Sequence, residues 1–398
     1  MDSASEPSHG ASRTGALVLA GLVGAVLAGA VFDGDGSDVG GVLPVGGAAV
    51  ALLAGTLVAV ALGRLALPRV GRSGAVLLGS MVALVVWTGA TVWWSIVPDR
   101  SWDVFNKSFA FAVFLGLGVM LAAPAERLTA RLTASVLSVV LGATLLYALV
   151  AKVVPALDPD GDRVARLREP VGYWNALALL ADIALALGLW LGSSPSHRRS
   201  VRIAGGLLLY VATLALLLTL SRAGIVVAIG VLVLWFGLTD ERVRSGLLLA
   251  ACSGPALAVG GWAFTRPALT EDIATRSNRV ADGAVFGVLV VAGALVVVAL
   301  VGLGLRRGLT EATRRTAGRA LAVVSAALVV AGIAAVGVSA ANEVSSGRSC
   351  AEVVNDPSRL ASFDPNTRLC WWGEAWDVFV GHTPEGARAG AFEVARKR

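Results

Sequence analysis

Charged side chains are scarce in this sequence. Asp, Glu, Lys and Arg make up 15% of the residues, against roughly 25% in soluble domains, while hydrophobic residues make up 56% and the mean hydropathy is +0.76. A soluble protein of this composition would leave most of its apolar surface without a core large enough to bury it. The composition therefore excludes an ordinary soluble protein and predicts an integral membrane protein.

Cysteine and histidine are also rare, with three residues of each type. Cys252 lies in an apolar run, whereas Cys350 and Cys370 share a polar tail and can form a disulfide if that tail faces an oxidising compartment. The sequence has no metal-ligand spacing of His, Cys, Asp or Glu, no phosphate-binding glycine loop before a helix and no serine nucleophile motif. We therefore expect no metal and no cofactor.

Long apolar runs dominate what is present. Runs of about 17 to 25 apolar residues can cross the roughly 30 Å hydrocarbon core as helices. We predict eleven spans, with approximate limits 15–32, 43–63, 74–97, 108–124, 132–151, 171–192, 203–220, 223–239, 246–264, 283–305 and 320–340. The predicted fold class is an all-α polytopic membrane protein.

The basic residues act as topology signals. The net charge is +6, but Lys and Arg are spread over the loops rather than massed on one face, which argues against a nucleic-acid partner. With the N-terminus inside, basic residues clearly exceed acids in the internal loops and do not in the external ones. We therefore expect 1–14 in the cytoplasm, 15–340 as the transmembrane bundle in the cytoplasmic membrane, and 341–398 as an extracytoplasmic segment.

A polar loop on the predicted outer side, residues 152–170, leads into the sixth span. Its candidate binding residues, with those that follow it, are Arg166, Arg168, Tyr173, Trp174 and Asn175. Arginines outside oppose the positive-inside trend, and a guanidinium fork binds phosphate oxygens bidentately, so a phosphate site is one interpretation. The alternative is that the arginines pair with acids of the same loop. The two aromatic residues equally fit an aromatic belt at the membrane interface.

Arg222 lies in a tight turn between the seventh and eighth spans. An arginine at this level sits where a lipid head group would be. The alternative is a snorkelling side chain at a helix end.

The polar tail carries a Trp-rich stretch with helical spacing. Its members are Arg368, Trp371, Trp372, Glu374, Trp376 and Asp377. Trp372 and Trp376 are four residues apart and would share one face of a helix. An aromatic face with neighbouring carboxylates suits sugar rings, but an amphipathic helix lying on the bilayer would have the same pattern.

Asp182 lies midway along the sixth span, where an acid is costly. It can couple the protein to a proton or an ion. The alternative is an acid that is hydrogen-bonded to neighbouring hydroxyl or carbonyl groups.

Several blocks of the sequence together resemble the O-antigen ligase-like family, which comprises O-antigen ligases and polymerases with a Wzy-type C-terminal domain. The blocks are Arg166 to Ala176 (RLREPVGYWNA), Thr219 to Gly224 (TLSRAG), Asn366 to Trp372 (NTRLCWW) and His382 to Phe392 (HTPEGARAGAF). Their order and spacing look like that family across most of the chain.

The resemblance implies a polytopic glycosyltransferase of the C type. Such an enzyme takes a glycan from undecaprenyl diphosphate and transfers it to an acceptor hydroxyl at the outer membrane face, without a nucleotide sugar or a metal. Arginines would handle the diphosphate, and the family's positions map onto Arg166 (with Arg168 next), Arg222 and Arg368 as catalytic residues. Asn175 occupies the family's asparagine position. The acceptor would be a glycan, a lipid or a protein.

The end of the sequence departs from the family. The family's tail usually continues into a histidine motif, thought to supply the catalytic base, and then into further spans, whereas this sequence ends at Arg398. His382 belongs to the block before that motif, so we do not assign it as the base. We expect 341–398 to be an incomplete external loop. The alternatives are a divergent enzyme, an inactive fragment, a non-catalytic binding or scaffold protein, and a transporter.

Overall fold

The computed structural model describes residues 9–32, 39–65, 67–122, 126–157, 165–272, 274–304, 357, 368–383 and 386–396. Its helices in these ranges are α1 (His9–Phe32), α2 (Val39–Ala61), α3 (Arg72–Thr91), α4 (Pro98–Ala122), α5 (Glu126–Val153), α6 (Trp174–Ser193), α7 (Arg199–Leu218), α8 (Arg222–Leu238), α9 (Arg242–Phe264), α10 (Pro267–Thr270), α11 (Arg276–Gly304), α12 (Arg368–Gly381) and α13 (Phe392–Ala395). Short 3-10 helices occupy Val92–Trp94 and Pro155–Leu157.

The described residues form helices and no strands, and eight of the helices are long and apolar enough to cross a membrane. Two shorter apolar segments, Leu17–Phe32 and Arg222–Leu238, coincide with the first and eighth predicted spans. These features fit the expected all-α polytopic membrane protein. The eleventh predicted span, 320–340, lies outside the described residues, so the full count stays a prediction.

Two helices start well before the predicted spans. α4 begins at Pro98 rather than near 108, and α11 begins at Arg276 rather than near 283. The first turns of both helices are polar, so an apolar-run criterion assigned them to loops. A helix continues above the hydrocarbon core as long as its backbone hydrogen bonds are made, whatever the polarity of its side chains.

Large apolar side chains are exposed along the helices. Val76, Val139 and Val288 have 71%, 72% and 69% of their surface accessible. A soluble protein rarely exposes contiguous apolar faces of this kind, whereas lipid tails solvate them as well as another helix would. The exposed valines therefore agree with helices that face a bilayer.

The chain divides into two compact units. Unit 1 contains residues 1–140 and 368–398, and unit 2 contains residues 141–367. In unit 1, α4 packs against α1, α2 and α3. The buried side chains between α1, α2 and α4 are Leu19, Ala20, Val23, Ala49, Val113, Leu117 and Leu121.

The tail of the chain is docked on the start of α4 within unit 1. Ser101 Oγ donates a hydrogen bond to the carbonyl oxygen of Ala389 (2.6 Å), and Arg100 forms an ion pair with Glu393. Gly390 has a φ of +73°, and a Cβ at this position would lie 2.8 Å from the Arg100 carbonyl oxygen. Glycine is therefore required where the tail meets α4.

In unit 2, α6 and α7 pack antiparallel along most of their length, and α7 also packs on α9 and α11. Glycines allow the close approach. A Cβ on Gly188 of α6 would lie 2.9 Å from the Gly205 carbonyl oxygen, and a Cβ on Gly205 of α7 would lie 2.6 Å from the Gly192 nitrogen. Small residues let helix backbones touch in a membrane, where lipid solvates apolar surface and gives little drive for association.

We predict that Gly205→Ala destabilises the protein. The added methyl group meets backbone atoms that cannot move aside, and overpacking of this kind costs about 1–3 kcal/mol. The measurement is the melting temperature of the detergent-solubilised protein. The matched control is Gly230→Ala in α8, where a Cβ meets nothing within 4 Å and where alanine is the better helix former. Equal melting temperatures of the Gly205→Ala and Gly230→Ala variants would contradict the close α6–α7 contact.

Candidate functional site

The turn between α7 and α8 is buried and has an unusual backbone. It consists of Thr219, Leu220 and Ser221, which are all at most 1% exposed, and Leu220 has a φ of +50°. A non-glycine residue in the left-handed region is uncommon and persists where its surroundings hold it. Ser221 caps α8, since its Oγ accepts a hydrogen bond from the Gly224 nitrogen at 3.1 Å.

Arg166 holds this turn in place. Its side chain is 6% exposed, its Nε donates to the Thr219 carbonyl oxygen (2.9 Å), and its Nη2 donates to the Leu220 carbonyl oxygen (3.2 Å). The guanidinium carbon lies 4.2 Å from the ring centre of Trp174. These carbonyls follow the last turn of α7, where a helix lacks internal donors and carries partial negative charge, so the arginine acts as a C-terminal cap.

The backbone next to Arg166 strengthens the same attachment. The Leu167 nitrogen donates to the Leu218 carbonyl oxygen at 2.9 Å. Thus two segments that are more than fifty residues apart in the sequence are joined by a backbone bond and by a side-chain clamp. The first two blocks of the family resemblance, 166–176 and 219–224, therefore meet in space.

A second link between these blocks runs through Asn175. Ser221 Oγ donates to Asn175 Oδ1 at 2.8 Å, and Asn175 Nδ2 donates to the Tyr173 hydroxyl at 2.6 Å. The Tyr173 side chain is itself exposed, and its ring centre lies 5.6 Å from that of Trp174. Asn175 is thus held between the buried cap residue and an exposed aromatic side chain.

Four cationic residues lie on the turn or near the segment that is bonded to it, and we call them the arginine cluster: Lys152, Arg166, Arg168 and Arg222. Lys152 Nζ donates to the Leu269 carbonyl oxygen at 2.8 Å, and Arg168 Nε lies 3.7 Å from a Glu169 carboxylate oxygen. The expected pairing with loop acids is therefore present for Arg168. We call this end of unit 2, where α6 and α8 begin and α7 ends, the arginine end.

The tail candidates belong to unit 1, whereas the arginine cluster belongs to unit 2. Arg368 begins α12, and its side chain lies outside the described part of the structure. Trp372 is 64% exposed, and Trp371, Trp376 and Phe379 are exposed as well. The observed α12 confirms the helical spacing of this stretch. Its exposed aromatic face is compatible with both interpretations, a surface on which sugar rings stack and a helix that lies on the membrane.

The structure describes only one of the two cysteines of the expected disulfide. Cys370 is disulfide-bonded, and Cys252 is a buried free thiol. Cys350, the partner expected from the sequence, lies outside the described residues. The pairing of Cys350 with Cys370 stays a prediction.

Sequence reasoning missed the roles of Lys152 and of Thr219. Lys152 is buried at the end of α5, and the Thr219 carbonyl receives the Arg166 side chain. A lysine that directly follows an apolar run and precedes Pro155 is a visible signal for a buried helix-end cation. The carbonyl acceptor cannot be recognised from the sequence, because every residue carries a backbone carbonyl group.

The arginine cluster carries positive charge, and two of its members, Lys152 and Arg166, donate to backbone carbonyls. Among the described residues no group of three or more His, Cys, Asp or Glu side chains could hold a metal ion. No protein-family model matches the chain, and neither a curated protein nor a solved structure is significantly similar to it.

We predict that Arg166→Lys destabilises unit 2 by about 2 kcal/mol, the scale of hydrogen bonds from a charged group. Lysine lacks the planar fork that reaches two carbonyls while stacking on a ring. The measurement is the melting temperature in detergent. Arg266→Lys is the matched control, since the Arg266 guanidinium also lies over a tryptophan, Trp262 at 5.1 Å, but is exposed. A loss of equal size in both variants would contradict the capping role.

Proposed function

We propose that the protein is a C-type membrane glycosyltransferase, a ligase or polymerase of the O-antigen ligase-like kind. It would transfer a glycan from undecaprenyl diphosphate to an acceptor hydroxyl at the outer face of the cytoplasmic membrane. The observation that supports this best is the arginine cluster, which gathers four cationic residues at one end of an apolar bundle. A lipid diphosphate has the matching chemistry, because its chain suits the bilayer and its head group carries the negative charge.

Arg222 is the residue that we assign to the diphosphate. It is the first residue of α8, a helix without an acid in its first turn. The positive end of the helix dipole favours an anion there, although the Gly224 N–H of this turn is already bonded to Ser221 Oγ. Arg222 is half-buried.

Arg166 has a different role in this proposal. Two of its N–H groups are bonded to carbonyls of the α7–α8 turn, out of the five that a guanidinium carries. It therefore positions the turn that presents Arg222, and it adds positive charge to the site. Arg168 adds charge beside it, although Glu169 offsets part of that charge.

The reaction would need little covalent participation by the protein. The acceptor oxygen forms the new bond to the anomeric carbon, the diphosphate leaves with the electrons of the broken C–O bond, and the hydroxyl proton passes to the departing diphosphate. Fixed cations stabilise the charge that develops on the leaving phosphate. Arginine suits this role because it stays charged at every relevant pH.

The remaining candidates would bind the substrates. Tyr173, Trp174 and Asn175 lie beside the turn and present aromatic and amide groups to a sugar or to the polyprenyl head group. In unit 1, the exposed Trp372 offers a face on which a sugar ring can stack, and Arg368 would assist at the donor or acceptor. The membrane lipids are the remaining partners that we expect.

The test is transfer of a labelled glycan from undecaprenyl diphosphate in proteoliposomes. We expect turnover by the wild type and a loss on the order of 100-fold in Arg222→Ala, comparable to the removal of one donor from an oxyanion site. Arg266→Ala is the control, because it removes an exposed arginine outside the cluster and should leave transfer unchanged.

Other outcomes lead to other functions. Binding of the lipid-linked glycan without turnover in the wild type would indicate a non-catalytic binding or scaffold protein. Movement of the labelled glycan lipid across the bilayer without transfer would indicate a transporter. Equal turnover in Arg222→Ala and wild type would remove Arg222 from the site.

A further inference from the structure

Asp182 is a buried acid in the middle of α6. It is 2% exposed, and neither carboxylate oxygen has a hydrogen-bond partner among the described residues. Of the two interpretations of this residue from the sequence, the acid bonded to hydroxyl or carbonyl groups is therefore wrong. A buried polar side chain without a partner is unusual, and an ionisable one inside a membrane helix marks a functional site by default.

The packing of α6 on α7 fixes the level of Asp182 in the bundle. Gly188 of α6 faces the stretch from Gly205 to Leu209 of α7. Asp182 lies six residues before Gly188, about 9 Å along the axis at 1.5 Å per residue. Because the helices are antiparallel, the same distance along α7 leads to Thr213.

A third helix contributes a polar group at this level. Thr213 Oγ1 of α7 and Ser253 Oγ of α9 are 3.3 Å apart, and α9 packs on both α6 and α7. By this estimate Asp182, Thr213 and Ser253 lie at a similar level of otherwise apolar helices, and neither hydroxyl is bonded to the Asp182 carboxyl group. This level lies away from the arginine end, since Asn175 is seven residues before Asp182, about 10 Å along α6.

Among the described residues, no cationic side chain of the helices packed on α6 lies at the level of Asp182. The titratable or charged side chains of the helices packed on α6 are Arg199, Arg202 and Tyr210 in α7, Arg222 in α8, and Arg242, Arg244 and Cys252 in α9; the part of α5 in unit 2 adds Tyr147 and Lys152. The arginines and the lysine lie at helix ends. Tyr210 donates its hydroxyl to the Val290 carbonyl oxygen, and Cys252 Sγ lies beside Gly206.

These surroundings indicate which ligand the Asp182 carboxyl group can bind. An ionised carboxylate without a partner is costly at the centre of a membrane helix, and more so in a dry interior. A hard metal cation requires several oxygen ligands around it, whereas neither Asp182 oxygen has a polar partner within hydrogen-bonding distance. A proton requires only the carboxylate itself.

We propose that Asp182 is a proton-binding site inside the helical bundle, with its carboxyl group protonated at rest. The site is separate from the arginine cluster and does not depend on the proposed glycosyl transfer. Gain or loss of this proton changes the charge at a buried position of α6, which packs on α7, α8 and α9. Proton binding is therefore a means by which pH can act on unit 2.

The experiment is covalent labelling with dicyclohexylcarbodiimide, an apolar reagent that enters membranes and reacts with protonated carboxyl groups. The full chain is labelled in proteoliposomes over a range of pH. We expect labelling of Asp182, mapped by mass spectrometry, to be strong at low pH and to fall by about tenfold per pH unit once the acid is mostly ionised. It should be lost in Asp182→Asn and unchanged in Asp240→Asn, which alters an acid in the connection between α8 and α9.

A second measurement detects the protonated carboxyl group even if the labelling reagent cannot reach Asp182. The infrared band of a protonated carboxylic acid should be present in the wild type and missing in Asp182→Asn, a variant that keeps the shape and neutrality of the protonated acid and so should fold. Protection from labelling by Na⁺ at constant pH would overturn the proposal in favour of a metal cation. Absence of both the label and the infrared band at all pH values would show an ionised Asp182 and would also overturn it.

Discussion

The close contact of α6 with α7 is the constraint on which the other features of unit 2 depend. Glycines at 188 and 205 bring the two backbones together, and this contact sets which residues face each other along the pair. The register places Asn175 beside Ser221 at one end and Asp182 level with Thr213 in the middle. A shift by one turn, about 5.4 Å, would separate Asn175 from Ser221 and would remove the Arg166 carbonyl acceptors from reach.

The arginine end shows how a buried charge can be accommodated in an apolar protein. Arg166 is buried, yet carbonyls left without donors at the end of α7 receive its N–H groups and Trp174 covers its face. The cap therefore satisfies groups on both sides of the interaction, which offsets the desolvation of the guanidinium. Asp182 is the opposite case, because nothing within the described bundle satisfies its oxygens.

Sequence patterns predicted the spans because apolar length is a local property. Ten of the predicted spans coincide with apolar helices, whereas the polar first turns of α4 and α11 were assigned to loops. The pattern also selected Arg166, Asn175 and Arg222, but it did not distinguish a helix cap from a ligand-binding side chain. That distinction depends on carbonyl groups of Thr219 and Leu220, which no residue type reveals.

The sequence by itself determined that the protein is helical, apolar and membrane-embedded, and it marked the arginines and Asp182 as exceptions to that composition. These properties follow from hydropathy and residue type, which are local along the chain. Only the tertiary structure decided that Arg166 caps α7, that Asn175 is bonded to Ser221, and that Asp182 is without a partner. Each of these facts joins or separates residues that are distant in the sequence, and helix packing alone sets such distances.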